Sequence, residues 1–293
     1  MAGSVISKST YYGFRLAGEL GPLLPLRQGY TLFGLLGGMA YRANRKGREN
    51  VRSNLRHVLG PDAPSEKIDR LARATFTYAA YNYYDLFRLP RLSPEQVNAA
   101  VEIRGWEHVE KALNLGKGAV MTSAHFGNIE IVLYAMLLRG VAITIPAERI
   151  EPPELFDYIT RLRMSQGLKL IPIDGPMIDL VRTLRRGGIV GIAGDRNITA
   201  QGFAAQFFDA PVRLPGGHVR LAARTRAPLI AGFNRRIGLG KYEAFFLPHF
   251  LVPSTGEESE RLAAGMRYVV SAIEAAISTC PEQWAVTADV WSQ

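Results

Sequence analysis

From residue 100 onward the chain alternates short, β-branched apolar runs with stretches of helical periodicity, and this rhythm restricts the fold more than any other feature. "VEIRG", "GAVMTSA", "VAITIP", "LKLIPI", "GGIVGIAG" and "APLIAGFN" read as strands, with helices between them at about 106–115, 128–139, 152–166, 175–186 and 216–225. "YEAFFLP" reads as one further strand, and 257–279 as a long closing amphipathic helix. Strands that alternate with helices need crossover connections, which cover both faces of a largely parallel sheet. The expected fold is therefore α/β: a mostly parallel central sheet flanked by helices.

Residues 50–90 place apolar and aromatic groups three and four apart, so they read as helical, with Pro64-Ser65 before Glu66 as a start signal and Pro90 as a stop. The expected organisation is a helical segment over 1–95 and one continuous α/β unit over 96–293. Residues 11–41 are rich in Leu, Gly and aromatics but are interrupted by Arg15, Glu19 and Arg27. Their cleanest run, 29–41, falls short of the roughly 20 apolar residues that a membrane-spanning helix needs, and no signal-peptide pattern precedes it. Directly after it, "RANRKGRENVRSNLRH" (42–57) is dense in arginine with one Glu. An apolar segment followed by a basic helix suits an anionic membrane surface. The alternative is a buried helix followed by a solvated one. With 35 Lys and Arg against 26 Asp and Glu, the net charge of +9 favours anionic partners. The aromatics near the basic segments follow helical core spacing rather than forming a stacking platform for bases, so nucleic acid is not expected. A single cysteine, Cys280, excludes an intrachain disulfide and reads as an ordinary buried thiol.

One histidine stands out. In "SAHFGNIE" (123–130), His125 follows a strand at its carboxyl end, where open α/β sheets place their ligands. Gly127 can take the backbone conformation a turn demands, and Asn128 is suited to cap the next helix. Residues five apart diverge by about 140° on a continuous helix. With His125 in the turn instead, Glu130 at the helix start leans back toward the imidazole. A carboxylate on one ring nitrogen leaves the other as a general base. No serine accompanies the pair, so the nucleophile is expected to be a substrate hydroxyl. A partly buried histidine satisfied by backbone is the alternative.

The box "SAHFGNIE" resembles the H-x4-D/E motif of the glycerolipid and lysophospholipid acyltransferase superfamily, and is more similar to its lipid A biosynthesis branch, which includes phosphatidylinositol mannoside acyltransferases. "NVRSNLRHVLG" (50–60), the segment 147–172 with Arg163, "AGDRN" (193–197) and "FFDAPVRLPGG" (207–217) resemble further motifs in the same order. Asn197 stands where a second carboxylate is frequent, and Asp209 where a glycine is common. The resemblance implies acyl transfer from a thioester, carried by acyl-CoA or acyl-carrier protein as co-substrate, to a hydroxyl of a membrane lipid. It implies a protein at the cytoplasmic face of the cell membrane, peripheral or monotopic. His125 would be the base and Glu130 its support. Backbone N–H groups at Gly127 and Asn128, or a guanidinium, would meet the oxyanion. Arg163 would bind a phosphate; Asp195 and Arg196 would either bind substrate or pair to shape their turn. A plain lysophospholipid acyltransferase and a non-catalytic lipid-binding protein are the competing readings. No metal or cofactor is expected, since no ligand spacing occurs. His218, after two glycines, reads as a capping or exposed residue.

Overall fold

The computed structural model describes residues 8–197 and 202–292. The helical segment comprises α1 (Lys8–Leu20), α2 (Leu26–Ala43), α3 (Arg45–Leu59) and α4 (Ser65–Arg88); its first seven residues lie outside the described ones. There follow α5 (Pro94–Ala100), β1 (Val101–Arg104), α6 (Trp106–Leu113), β2 (Ala119–Ser123), α7 (Ile129–Leu137), β3 (Ile143–Ala147), α8 (Pro153–Met164) and β4 (Lys169–Pro172). The chain continues with α9 (Ile178–Arg185), β5 (Ile189–Ala193), β6 (Phe203–Phe207), β7 (Ala210–Leu214), α10 (Gly217–Thr225), β8 (Leu229–Gly238), β9 (Lys241–Phe246) and α11 (Glu258–Thr279).

Seven strands form one sheet in the order β1-β9-β8-β2-β5-β3-β4, and every neighbouring pair but β8–β9 is parallel. The expected mostly parallel sheet is thus observed. Its central strand β2 is buried along its whole length, because helices cover both faces. On one face, Leu184, Val219, Ala222 and Ile273 from α9, α10 and α11 pack on Val120 and Val190. On the other, Val109, Ile131, Leu133 and Ile159 from α6, α7 and α8 pack with Met121 and Ile230. The antiparallel pair β6–β7 stands apart from this sheet, and the apolar rhythm gave no sign of it. Two of its outward positions, Ala204 and Pro211, are not polar, so the period-2 signal in the sequence is weak.

In the helical segment, α2 packs closely on α4: a Cβ on Gly29 would meet the Tyr84 ring at 2.1 Å, and one on Gly37 the Phe76 carbonyl at 2.7 Å. The segment is tied to the sheet by buried polar groups. Arg236 on β8 donates to Asp85 on α4 at 2.6 Å and to the Tyr30 hydroxyl on α2 at 2.8 Å, while the Tyr30 hydroxyl donates to Asp85 at 2.5 Å. A buried ion pair left half-made would be strongly destabilising, so these bonds fix how α2 and α4 sit on the sheet. Among the described residues, no helix is long and apolar enough to cross a membrane.

Candidate active site

The turn between β2 and α7 is built by its neighbours. Gly127 has φ 68°, and a Cβ there would lie 2.1 Å from the Asn234 carbonyl oxygen, so only glycine fits. The N–H of Gly127 donates to the Gln283 carbonyl at 3.0 Å, and its own carbonyl accepts from Asn82 at 2.7 Å. The N–H of Asn128 donates to the Asn234 side chain at 2.5 Å. As expected, the Asn128 side chain caps α7, accepting from the Glu130 N–H at 3.2 Å, and its amide also donates to Asp85 at 2.8 Å. Both N–H groups expected to meet an oxyanion are therefore committed within the protein. Gly127 and Asn128 shape the turn instead.

The turn directs His125 to the sheet's carboxyl edge, where Asp195 follows β5 by two residues. The His125 Nδ1 lies 2.9 Å from Asp195 Oδ1, and the His125 backbone N–H donates to Oδ2 at 3.0 Å. Oδ2 also accepts from the Trp284 indole N–H at 2.7 Å, and the His125 carbonyl accepts from the Ala285 N–H at 2.8 Å. The carboxylate partner of the imidazole is thus Asp195, seventy residues away, and not Glu130. Glu130 is buried at the start of α7 and pairs with Arg163 of α8 at 2.7 Å. The reason is the helix itself: once Asn128 caps α7, Glu130 lies in its first turn on the face that α8 covers.

Asp195 is fully buried while the His125 side chain is 45% exposed. The Asp195 charge raises the imidazole above its ordinary value, against burial and the cations Arg196 and Arg163. Burial pushes the Asp195 carboxyl up, but the imidazolium and the bonds from His125 and Trp284 outweigh it, so its pKa is lowered. With Nδ1 held by a carboxylate, the neutral ring carries its proton there and leaves Nε2 as the basic nitrogen.

His125 lines a cleft of about 610 Å³ together with Ile171, Leu180, Ile192, Arg196 and Arg220. The wall is largely aliphatic, with cations at intervals. Arg196 pairs with Glu148, which also lines the cleft, so Arg196 both borders the cleft and makes an ion pair. His218 is not a cap and is not exposed: it is fully buried behind the cleft wall, with neither ring nitrogen hydrogen-bonded. Cys280 is half-buried just after α11. Among the described residues no group of three or more His, Cys, Asp or Glu side chains could hold a metal ion.

The arrangement joins a base, its carboxylate, nearby guanidinium groups and an apolar cleft at one sheet edge. The sequence model of the family described as bacterial lipid A biosynthesis acyltransferase matches residues 17–292. The chain belongs to this family. It is similar to a phosphatidylinositol mannoside acyltransferase of Mycobacterium tuberculosis (strain CDC 1551 / Oshkosh), 30% identical over 199 residues that cover 66% of this chain. The chain spans 63% of the length of that relative. It is also similar to the protein of the same description from Mycolicibacterium smegmatis, 28% identical over 224 residues, 75% of this chain and 73% of that one. Among solved structures, a 1-acyl-sn-glycerophosphate acyltransferase, PlsC, from Thermotoga maritima matches 89% of this chain and 100% of its own at 12% identity, with a TM-score of 0.40.

Within this family member, the residues that linear spacing did not single out are Asn82, Asp85, Glu148, Asn234, Gln283 and Trp284. Each comes from an element remote in sequence, and none carries a local signature. Asp195 was legible only as a carboxylate at a second strand end.

Proposed function

We propose that the protein is an O-acyltransferase that moves a fatty acyl group from a thioester, carried by CoA or acyl-carrier protein, to a hydroxyl of a membrane glycolipid. The observation that carries this reading is the His125–Asp195 pair, with the second imidazole nitrogen left for an apolar cleft. The acceptor hydroxyl oxygen attacks the thioester carbonyl carbon while Nε2 of His125 takes its proton, and Asp195 stabilises the imidazolium. The tetrahedral intermediate collapses to the ester as the carbon–sulfur bond breaks. The thiolate leaves readily because a thiol titrates near about 8.5, and it regains the proton from His125. Arg196, on the cleft wall, supplies positive charge toward the carbonyl oxygen.

The acceptor class rests on the two similar proteins described as phosphatidylinositol mannoside acyltransferases. A peripheral place at the cytoplasmic face of the membrane is part of the same reading. It is supported by exposed Leu16, Leu20, Leu23, Leu32, Leu35 and Met39 on and between α1 and α2, followed by the cationic α3.

The test is direct. Purified protein is mixed with a palmitoyl thioester of CoA or of carrier protein and with phosphatidylinositol mannoside or a lysophospholipid in mixed micelles. Thiol release and acylated lipid are both measured. Transfer to the mannoside that falls about 10²–10⁴-fold in a folded His125→Ala variant is expected. Preference for the lysophospholipid would reassign the acceptor, and full turnover by His125→Ala would remove the mechanism.

A further inference from the structure

The carboxyl ends of β2, β3, β4, β5 and β8 all point one way, since β2 is parallel to β5 and β8, and β3 to β4 and β5. His125 follows β2 at that edge. Two other segments leave the same edge, one on each side of β2 in the strand order. On one side, β8 turns back into β9 and carries Ile237 and Leu239 at its tip. On the other, β4 runs into the loop 173–178 with Ile173, Met177 and Ile178. All five side chains are between 43% and 56% exposed. Ile173 and Met177 line the cleft together with His125. The order β8-β2-β5-β3-β4 puts four strand spacings, about 19 Å across the sheet, between strands β8 and β4, with β2 and His125 between them.

A single exposed apolar side chain needs no explanation. Two clusters that flank a reactive histidine on one edge are different, because exposed apolar surface at a cleft mouth marks a contact with lipid or protein. The charges decide which. Asp174 and Asp179 in and beside the loop are each neutralised, by Arg149 and by Arg182, both at 3.2 Å. Arg220 adds a cation to the cleft wall, and the chain carries a net charge of +9. The β8–β9 tip is also fixed rather than loose: the Gly240 N–H donates to the Tyr30 hydroxyl at 3.1 Å, and Leu26 packs beside Gly240. The tip thereby meets Leu26 at the start of α2, with the exposed Leu23 just before it. Apolar tips on an edge where Asp174 and Asp179 are paired, in a chain of net charge +9, suit an anionic bilayer.

We propose that the β8–β9 turn and the 173–178 loop are two lips that dip into an anionic bilayer on either side of the cleft. A lipid acceptor then reaches His125 from the leaflet without crossing water. The inference rests on the reading that the acceptor is a bilayer lipid, and it adds the surface through which that lipid enters.

Single cysteines at positions 178, 239 and 115, placed in a full-length Cys280→Ser background, are labelled with the environment-sensitive fluorophore NBD. Leu115 is equally exposed, but it precedes β2 and so lies at the opposite edge of the sheet. With vesicles of phosphatidylglycerol and phosphatidylcholine, labels at 178 and 239 should shift to the blue, brighten severalfold and be quenched by doxyl-labelled lipid. The label at 115 should not change. Labels at 178 and 239 that keep their emission in water overturn the proposal, as does an equal response at 115. Ile178→Asp combined with Leu239→Asp should weaken vesicle binding at least tenfold, and undiminished binding overturns it as well. The outcome is separable from that of the functional reading. Lips that insert in a protein without transferase activity would sustain this proposal and refute the enzyme. Acyl transfer on vesicles with both labels in water would do the reverse.

Discussion

Asp195 grips His125 twice, with Oδ1 on the imidazole Nδ1 at 2.9 Å and Oδ2 on the backbone N–H at 3.0 Å. The carboxylate thus sets both the position of the residue and the tautomer of its ring. In Asp195→Asn, the amide oxygen can still serve the two N–H donors, His125 and Trp284, that Oδ2 serves now. The amide NH2 then faces Nδ1 and selects the tautomer with its proton on Nε2, which cannot act as a base. A loss of about 10³–10⁴ in kcat is expected with little change in fold, by the same tautomer argument as in serine proteases. Steady-state kinetics alongside a melting curve checks it; a variant within tenfold of the parent would remove Asp195 from the mechanism.

The same pair fixes a pH dependence. In the proposed mechanism the active form has a neutral ring, and the Asp195 charge raises the His125 pKa. The rise of kcat/KM with pH should therefore be centred above the ordinary histidine value of about 6.5. The sign for stability is the opposite. A raised folded pKa means that the ion pair stabilises the fold below the ordinary value and that this contribution fades as pH climbs through the raised one. NMR titration of the His125 ring protons measures the shift without any assay. In Asp195→Asn the midpoint should drop, since burial, Arg196 and Arg163 then act unopposed. A midpoint that stays in place would show that the carboxylate does not set it.

Much of the sheet was legible because most of its strands announce themselves locally: β2 and β5 are short, mostly apolar runs ending in Ser123 and Ala193. His125 was legible for a related reason, since a polar residue at the end of such a run sits at a sheet edge. Its partner was not. Glu130 is near in sequence, yet the cap at Asn128 commits it to α7, and Arg163 of α8 claims it. Asp195 reaches the ring only because β5 lies beside β2 in the sheet. Strand order is a property of the assembled sheet, so no local spacing could assign that pairing. The buried bonds from Asn82, Asp85, Asn234 and Gln283 were hidden for the same reason.

The Glu130–Arg163 pair carries its own prediction. Glu130 is 8% exposed, so Arg163→Ala leaves a buried carboxylate without its cation. Fully buried pairs broken on one side lose about 3–5 kcal/mol, but the Arg163 guanidinium is partly solvated, and about 1–3 kcal/mol is expected here. Glu130→Gln combined with Arg163→Ala should recover part of the loss, because it removes both charges together. Urea unfolding of the parent, Arg163→Ala, Glu130→Gln and the double variant gives the coupling directly. A coupling below about 0.5 kcal/mol would mean that the two residues are energetically independent.

His218 should make the fold sensitive to acid. It is fully buried with neither ring nitrogen hydrogen-bonded, and burial pushes its pKa down to about 4. In the unfolded chain the ring titrates at about 6.5. As pH falls from that value toward 4, the unfolded chain takes up a proton that the folded chain refuses, so stability is lost across this window. Above it the ring is neutral in both states, and below it both are charged, so the change is confined there. Between pH 7.5 and 4.5 this one residue should cost on the order of 2–3 kcal/mol. His218→Met offers a non-titrating, flexible side chain for the same space. Urea unfolding at the two pH values should show a smaller drop for His218→Met than for the parent by about that amount. Equal drops in the two proteins would mean that the native ring accepts its proton freely, and that His218 is not sealed from water behind the cleft wall.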